Sequence, residues 1–137
     1  MSEQNIVSNT GRQLFINTDT SKIFIGNNRY TSYPYNNSAY DDVTLTAGTL
    51  MGVVTATGWV IPLRSTASDG SQVPIGILAE DHIVDGGDLI DVSICVAGDI
   101  AADQIVFDLA TDNLDTTISS RRIRDRIGAD TVGIKLV

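Results

Sequence analysis

The sequence contains very few of the residues from which catalytic and metal sites are usually built. Among its 137 residues there is one cysteine, Cys95, and one histidine, His82. One cysteine cannot form an intramolecular disulfide, and this pair alone does not provide the ligand set of a zinc site. No glycine cluster has the dinucleotide-binding spacing or a following Walker lysine. The sequence therefore predicts neither an enzyme nor a protein with a cofactor.

Aromatic residues and long hydrophobic runs are also scarce. Aromatic residues make up 6% of the chain, so a core must consist mainly of aliphatic side chains. No apolar run approaches the ~20 residues that span a bilayer. The first residues lack the basic region and apolar stretch of a signal peptide. We therefore expect one domain, synthesis in a cytoplasm and no membrane partner.

Three features with reactive side chains have ordinary structural interpretations. Cys95 lies in an apolar run, where a small buried side chain suits a strand. His82 lies among acidic residues without a serine or cysteine motif, which favours an exposed loop histidine over acid–base catalysis. Asp85, Asp88 and Asp91 lack the spacing of a calcium loop. A solvated turn is the favoured interpretation of these three acids.

The net charge of −8 is distributed unevenly along the chain. Residues 41–115 carry thirteen acidic residues against a single basic one, Arg64, which gives −12 for this part. Residues 1–40 carry +1 and residues 116–137 carry +3. An acidic middle repels nucleic acid over most of the surface. We therefore expect no nucleic-acid partner.

A basic cluster lies in the positive C-terminal part and consists of Arg121, Arg122, Arg124 and Arg126. Nucleic-acid binding would require a wider basic face with aromatic residues for stacking. Arginine is favoured in protein interfaces. A protein contact and a plain solvated helix face both remain open.

The N-terminal part is predicted to form an arm followed by a β-hairpin. Residues 1–13 are polar and lack periodicity, which is typical of a flexible arm. Two β-rich runs follow, at 13–16 and 22–25, with turn-forming residues 17–21 between them. A two-stranded hairpin is marginal in water on its own, so this hairpin must pack against another surface.

All four tyrosines lie in a segment that we interpret as a loop, residues 29–42. They are Tyr30, Tyr33, Tyr35 and Tyr40. Tyrosine offers a large contact area with a polar tip and is enriched in binding hot spots. Capping of the core and participation in an interface are equally open for these side chains.

From residue 43 onward the pattern indicates short strands and turns, and so a mainly β (α+β) fold with one short C-terminal helix. Pro74 argues for an edge strand or a strand start at its position. The helix is expected over 119–127, with Ser119 or Ser120 as N-cap and Gly128 as the stop. The spacing of Ile123 and Ile127 provides its apolar face, and a closing strand is expected over 131–137.

The order of these signals from Thr46 onward resembles the head decoration (cement) proteins of tailed bacteriophages, of the lambda head protein D type. The resemblance lies in residues 46–52, 74–79, 89–97 and 124–134. It implies a small β-barrel-like domain, residues 43–137, without catalytic activity. Such proteins sit as homotrimers at the local threefold positions of the expanded capsid. They occupy the outer surface of the virion and stabilise it against internal DNA pressure.

The resemblance also implies that the major capsid protein is the partner and that the N-terminal part, residues 1–42, attaches to it or projects from it. In similar proteins the N-terminal arm commonly adds a strand to the capsid protein's sheet. The candidate capsid-binding residues are therefore Leu14, Phe15, Ile16, Ile23, Phe24, Ile25, Tyr30, Tyr33 and Tyr35. The arginine cluster is the candidate for a trimer or capsid interface.

The longer, hairpin-bearing N-terminal part departs from the family pattern. An alternative hypothesis follows from it: a virion-surface adhesin or fibre-type module. Its contact with a host glycan or protein would be made by the tyrosine-rich loop.

Overall fold

A computed structural model describes residues 20–37, 42–131 and 133–137. The strands and the helix within these residues are β1 (Phe24–Asn36), β2 (Val43–Leu45), β3 (Leu50–Val53), β4 (Val60–Pro62), β5 (Pro74–Leu78), β6 (His82–Val84), β7 (Leu89–Ile100), β8 (Thr117–Ile118), β9 (Arg121–Arg122), α1 (Ile123–Asp130) and β10 (Gly133–Leu136). The mainly β fold with one short C-terminal helix is thereby confirmed. In this part of the chain no helix is long and apolar enough to cross a bilayer.

The long strand β7 is the centre of the main sheet. The sheet has the order β1-β7-β5-β3-β4, and β10 pairs in parallel with the C-terminal end of β7. Two ribbons, β2–β6 and β8–β9, complete the described strands. The path of the main sheet ends at β1 and β4, so the described strands form an open sheet with two ribbons and not a closed barrel. Pro74 is the first residue of β5, as strand-start proline requires.

The main sheet separates two hydrophobic cores. Neighbouring side chains on one strand point to opposite faces, and Ile94 and Cys95 accordingly belong to different core clusters. The same division holds for the two other pairs Leu50 with Met51 and Ile77 with Leu78. The first core includes α1 and Cys95, and the second includes the β2–β6 ribbon. Because both faces are covered, the central strands are apolar on both sides.

The segment over 29–36, interpreted from sequence as a loop, belongs to strand β1. β1 pairs antiparallel with β7 from Phe24 opposite Ile100 to Asn36 opposite Leu89. Its loop-like composition results from its position, since β1 has a largely exposed surface where polar residues and tyrosines are tolerated. Pairing with β7 nevertheless supplies the backbone hydrogen bonds.

The predicted hairpin partner of residues 22–25, the run 13–16, lies outside the described residues, as do the arm residues 1–13. Within the described chain, the segment after Ile23 pairs with β7. The loop prediction for residues 38–41, including Tyr40, is likewise outside the described ranges.

The sequence predicts the apolar face of the C-terminal helix correctly but misplaces both of its ends. Ile123 and Ile127 are fully buried, as their spacing predicts. Ser119 and Ser120 form the turn of the β8–β9 ribbon, with φ of 51° and 70°, and do not cap the helix. Helix α1 runs through Gly128 to Asp130.

Backbone carbonyls of the preceding loop explain why α1 needs no serine cap. The amide of Ile123 donates to the carbonyl of Thr116 at 2.8 Å, and the amide of Arg124 donates to that of Leu114 at 2.9 Å. These bonds satisfy N–H groups of the first turn that lack partners inside the helix. At the other end, the Thr131 hydroxyl donates to the carbonyl of Ile127, one turn beyond the predicted stop.

Candidate functional site

The apolar residues at the start of β1 divide between the core and the surface. Ile23 is 2% exposed and belongs to the first core, and Phe24 packs against that core. Ile25 is 53% exposed. Of these three candidate contact residues, Ile25 has the most exposed side chain. The other apolar candidates, Leu14, Phe15 and Ile16, lie outside the described residues.

The three described tyrosines do not form one contact patch. Tyr30 is 49% exposed and packs edge-to-face on Phe24, with ring centroids 5.8 Å apart. Tyr33 packs against the second core, and Tyr35 is a buried member of it at 7% exposure. Stacking on sugar rings requires exposed aromatic faces, so this arrangement does not favour a glycan platform. Desolvation by partial burial raises the pKa of Tyr30, and the neighbouring Cys95 adds to this rise.

Strand β1 forms one edge of the main sheet. Among the described residues no strand pairs with the side of β1 that faces away from β7. An edge strand can accept a further strand through its backbone groups. Irregular pairing between Phe24 and Tyr30 twists the first half of this edge, whereas the pairing from Tyr30 onward is regular. Pro34 removes one donor from that regular half.

Three of the four clustered arginines are engaged within the chain. Arg122 forms ion pairs with Asp115 at 3.6 Å and with Asp125 at 3.3 Å. Arg124 also pairs with Asp115, at 3.0 Å. All four of these side chains are well exposed, so each pair contributes only about 0–1 kcal/mol. The pairs orient the arginines more than they stabilise the fold.

Arg126 has a structural role. Its guanidinium pairs with Asp130 at 3.1 Å and donates to the carbonyl of Ile118 at 2.8 Å, which ties α1 to the β8–β9 ribbon. Arg121 is exposed, and no ion pair to it occurs among the described residues. Of the four predicted interface residues, Arg121 is therefore the one with its charge directed to solvent.

A cleft of about 740 Å³ opens between β2 and the loop that follows β4. We refer to it as the cleft. Its lining residues come from five separate segments of the chain: 35–37, 42–46 with 49, 61–67, 69–71 and 106–108. Pattern analysis of the sequence missed this site because no local motif connects these segments. The excess of acidic residues over 41–115 was its only sequence signal.

The charge of the cleft is negative. Asp42, Asp69 and Asp108 line it with one basic residue, Arg64. Arg64 and Asp108 form an ion pair across its rim. Hydrogen bonds from the hydroxyl and the amide of Ser71 hold the pKa of Asp69 below its usual range. Asp69 is therefore ionised at neutral pH.

One wall of the cleft is fixed by a buried carboxylate, Asp112. Its two oxygens accept from the amide of Ser65 at 3.0 Å and from the Ser65 hydroxyl at 2.6 Å. Asp112→Ala leaves the Ser65 amide without its partner, and we expect a loss of about 1–3 kcal/mol in the free energy of unfolding. Urea unfolding monitored by circular dichroism measures this loss as a lower midpoint with an unchanged slope.

The matched control for that experiment is Asp103→Ala, which removes an exposed acid from the 3-10 turn after β7. Its midpoint should stay within about 0.5 kcal/mol of the parent value, as for most surface changes. Equal midpoints for the two variants would contradict the role given to Asp112.

The single histidine and the single cysteine both lie inside the fold. His82 is half-buried at the start of β6, opposite Leu45, and is not the exposed loop residue that the sequence indicated. His82 takes this position because β6 pairs with β2. The acidic residues beside it in the sequence do not prevent this short strand from forming. Cys95 is fully buried, and desolvation raises the pKa of its thiol. Among the described residues no group of three potential ligands could hold a metal ion.

The part of the chain that matches a known family includes most of the main sheet and the lining of the cleft. A family model described as bacteriophage lambda head decoration protein D matches residues 33–120, which is 88 of the 137 residues. The matched part begins within β1 and ends in the turn of the β8–β9 ribbon. No curated protein matches the chain. Helix α1 and the first half of β1 lie outside the matched residues.

Proposed function

The chain belongs to the bacteriophage lambda head decoration protein D family, and from this we propose that it binds the exterior of the expanded phage head as a homotrimer at local threefold positions. There it stabilises the head against the pressure of packaged DNA. Its partner is the major capsid protein, and the chain is made in the cytoplasm of the host bacterium. The family match over residues 33–120 is the observation that carries the proposal.

The physical basis of this function is the addition of many modest contacts. A symmetric trimer engages several capsid subunits at once, so the effective concentration at each further contact is high. A protein that binds only the assembled state stabilises that state by mass action. The gain is about 2.7 kcal/mol per site when the free concentration is a hundred times the dissociation constant. No catalytic step is required for this effect.

The attachment is assigned to the N-terminal part, residues 1–42, with residues 43–137 as the body. Within the described chain the exposed side chains Ile25 and Tyr30 support this assignment, together with the outer edge of β1. An added strand from the capsid protein would bind that edge through backbone hydrogen bonds. Since Ile23 and Phe24 pack in or against the core, the attachment part and the body share the main sheet.

Co-sedimentation tests this function. Purified protein is added at increasing concentration to expanded capsids that lack their decoration protein, and the pelleted amount is measured. We expect saturation near one copy per capsid subunit. Unexpanded capsids are the control and should bind far less. Absence of pelleting at any concentration would overturn the proposal.

A shortened chain tests the attachment role. Removal of residues 1–19 leaves Ile23 and β1 in place, whereas a deletion that extended past Phe24 would open the first core. We expect the shortened chain to keep its thermal unfolding midpoint and to lose capsid binding. Full-strength binding by the shortened chain would place the attachment elsewhere on the domain.

A further inference from the structure

The β8–β9 ribbon ends in a tip, residues 117–122, which is exposed except for Ile118 and which we refer to as the hairpin tip. Its turn has only two residues, and both Ser119 and Ser120 adopt the left-handed conformation. Such turns strongly favour Asn-Gly or Gly-Gly, because serine at positive φ is strained. Strained residues that persist on a surface often have a functional reason. The hairpin tip is therefore a candidate contact element.

The charge at the hairpin tip is only partly neutralised within the chain. The pairs of Arg122 with Asp115 and Asp125 hold one guanidinium in place. Arg121 is exposed beside it and has no ion pair among the described residues. The oriented Arg122 and the neighbouring Arg121 form a small positive surface patch, although the net charge of the chain is −8.

The cleft has the complementary properties. Asp69 adds negative charge to it beyond the paired Asp108 and Arg64, and Val106 and Phe107 provide apolar surface inside it. Its volume of about 740 Å³ is large enough for a turn of polypeptide. Opposite potentials on two surfaces select the partner and its orientation. Among the described residues of a second copy, the hairpin tip offers matching charge through Arg121, beside a turn of only two residues.

We propose that the cleft of one copy receives the hairpin tip of the neighbouring copy in the decoration trimer. This inference rests on the proposed trimer and identifies the two surfaces that form it. A contact between two different surfaces is heterologous, and it closes into a ring when the rotation between copies fits. Three such contacts, each with one cleft and one tip, complete a threefold ring. Each cleft is then incomplete without Arg121 from the neighbouring copy.

Cross-linking on decorated capsids tests the contact. Ser120→Cys places a thiol on the hairpin tip and Thr66→Cys places one on the exposed wall of the cleft, and neither changes a charged residue. A short bis-maleimide then joins thiols that lie close together. Buried Cys95 should not react, and the parent protein verifies this. Denaturing gels report the products.

The expected products depend on which residues are paired. The variant with both cysteines should give covalent dimers and trimers of this chain. Each single variant should stay monomeric, and an equal mixture of the two single variants should give dimers. Ser120→Cys combined with Glu80→Cys, at an exposed acid away from the cleft, should give no product.

A charge reversal makes the test specific. Adding Arg121→Glu to the doubly substituted protein should abolish the cross-linked products, whereas Lys135→Glu, the same charge change at an exposed site in β10, should leave them. Saturated decoration without cross-linked products would overturn the contact and leave the decoration function standing. Dimers from a single variant would overturn the head-to-tail arrangement. Failure of the parent protein to pellet would overturn the function, and this inference with it.

Discussion

Replacing both Ile123 and Ile127 by alanine is expected to leave the domain unfolded or close to unfolding at room temperature. Both side chains are fully buried in the first core, where they pack with Leu50, Ile77 and Cys95. Each truncation of a buried isoleucine to alanine costs about 2–5 kcal/mol through lost burial and the cavity left behind. The two losses together approach the free energy of unfolding of a whole domain, which is about 5–15 kcal/mol. An eight-residue helix cannot compensate, because it is not stable without its docking surface.

Far-ultraviolet circular dichroism during urea unfolding measures this loss, with each single variant as an intermediate point. The matched control is Asp125→Ala in the same helix, at an exposed position whose one ion pair within the described part of the chain is with Arg122. Its free energy of unfolding should remain within about 0.5 kcal/mol of the parent value. A double variant within about 1 kcal/mol of the parent would show that α1 does not support the core in the way described.

Gly76→Ala is expected to destabilise the protein by about 3 kcal/mol or more, although it adds only one methyl group. Gly76 lies in β5 against β7, and a Cβ atom there would be 2.4 Å from the Cys95 carbonyl oxygen and 2.6 Å from Cγ2 of Ile94. The first of these atoms belongs to the backbone of the central strand. It can move only if β5 separates from β7, which costs backbone pairing in the middle of the sheet.

A second glycine in the same sheet is the control. At Gly26 in β1, a Cβ atom would meet no other described residue within 4 Å. Gly26→Ala should therefore be neutral, or stabilising by up to about 1 kcal/mol because alanine restricts the unfolded chain. Thermal unfolding of the two variants under identical conditions makes the comparison. Similar midpoints would contradict the close approach of β5 and β7.

The helix shows how far local patterns lead. The spacing of Ile123 and Ile127 identified the buried face, because that spacing reflects helix geometry directly. The start of the helix could not be found in this way, since serine is both a good N-cap and a turn residue. The start of the helix is set by the backbone carbonyls of Thr116 and Leu114, which accept hydrogen bonds from its first amides. These carbonyls approach the helix only in the folded chain.

The longer part of strand β1, residues 29–36, was missed for a different reason. Its partner, β7, is distant in sequence, and its own exposed residues hide the alternation on which strand prediction depends. The same limit applies to the cleft, whose walls come from segments that no sequence window contains together. Charge was predictable, because the acidic excess over 41–115 is a property of composition. The shape that concentrates this charge is a property of the tertiary fold.

The main sheet divides the interior into two cores, and this division affects how the domain unfolds. Adjacent residues of β7, such as Ile94 and Cys95, anchor opposite cores, so we expect the loss of one core to disturb the packing of the other. Amide hydrogens on both faces of the sheet should then exchange with solvent through one common opening event. We therefore expect a single unfolding transition without a populated half-folded state. In such a transition both cores, and the surfaces that they support, would be lost together.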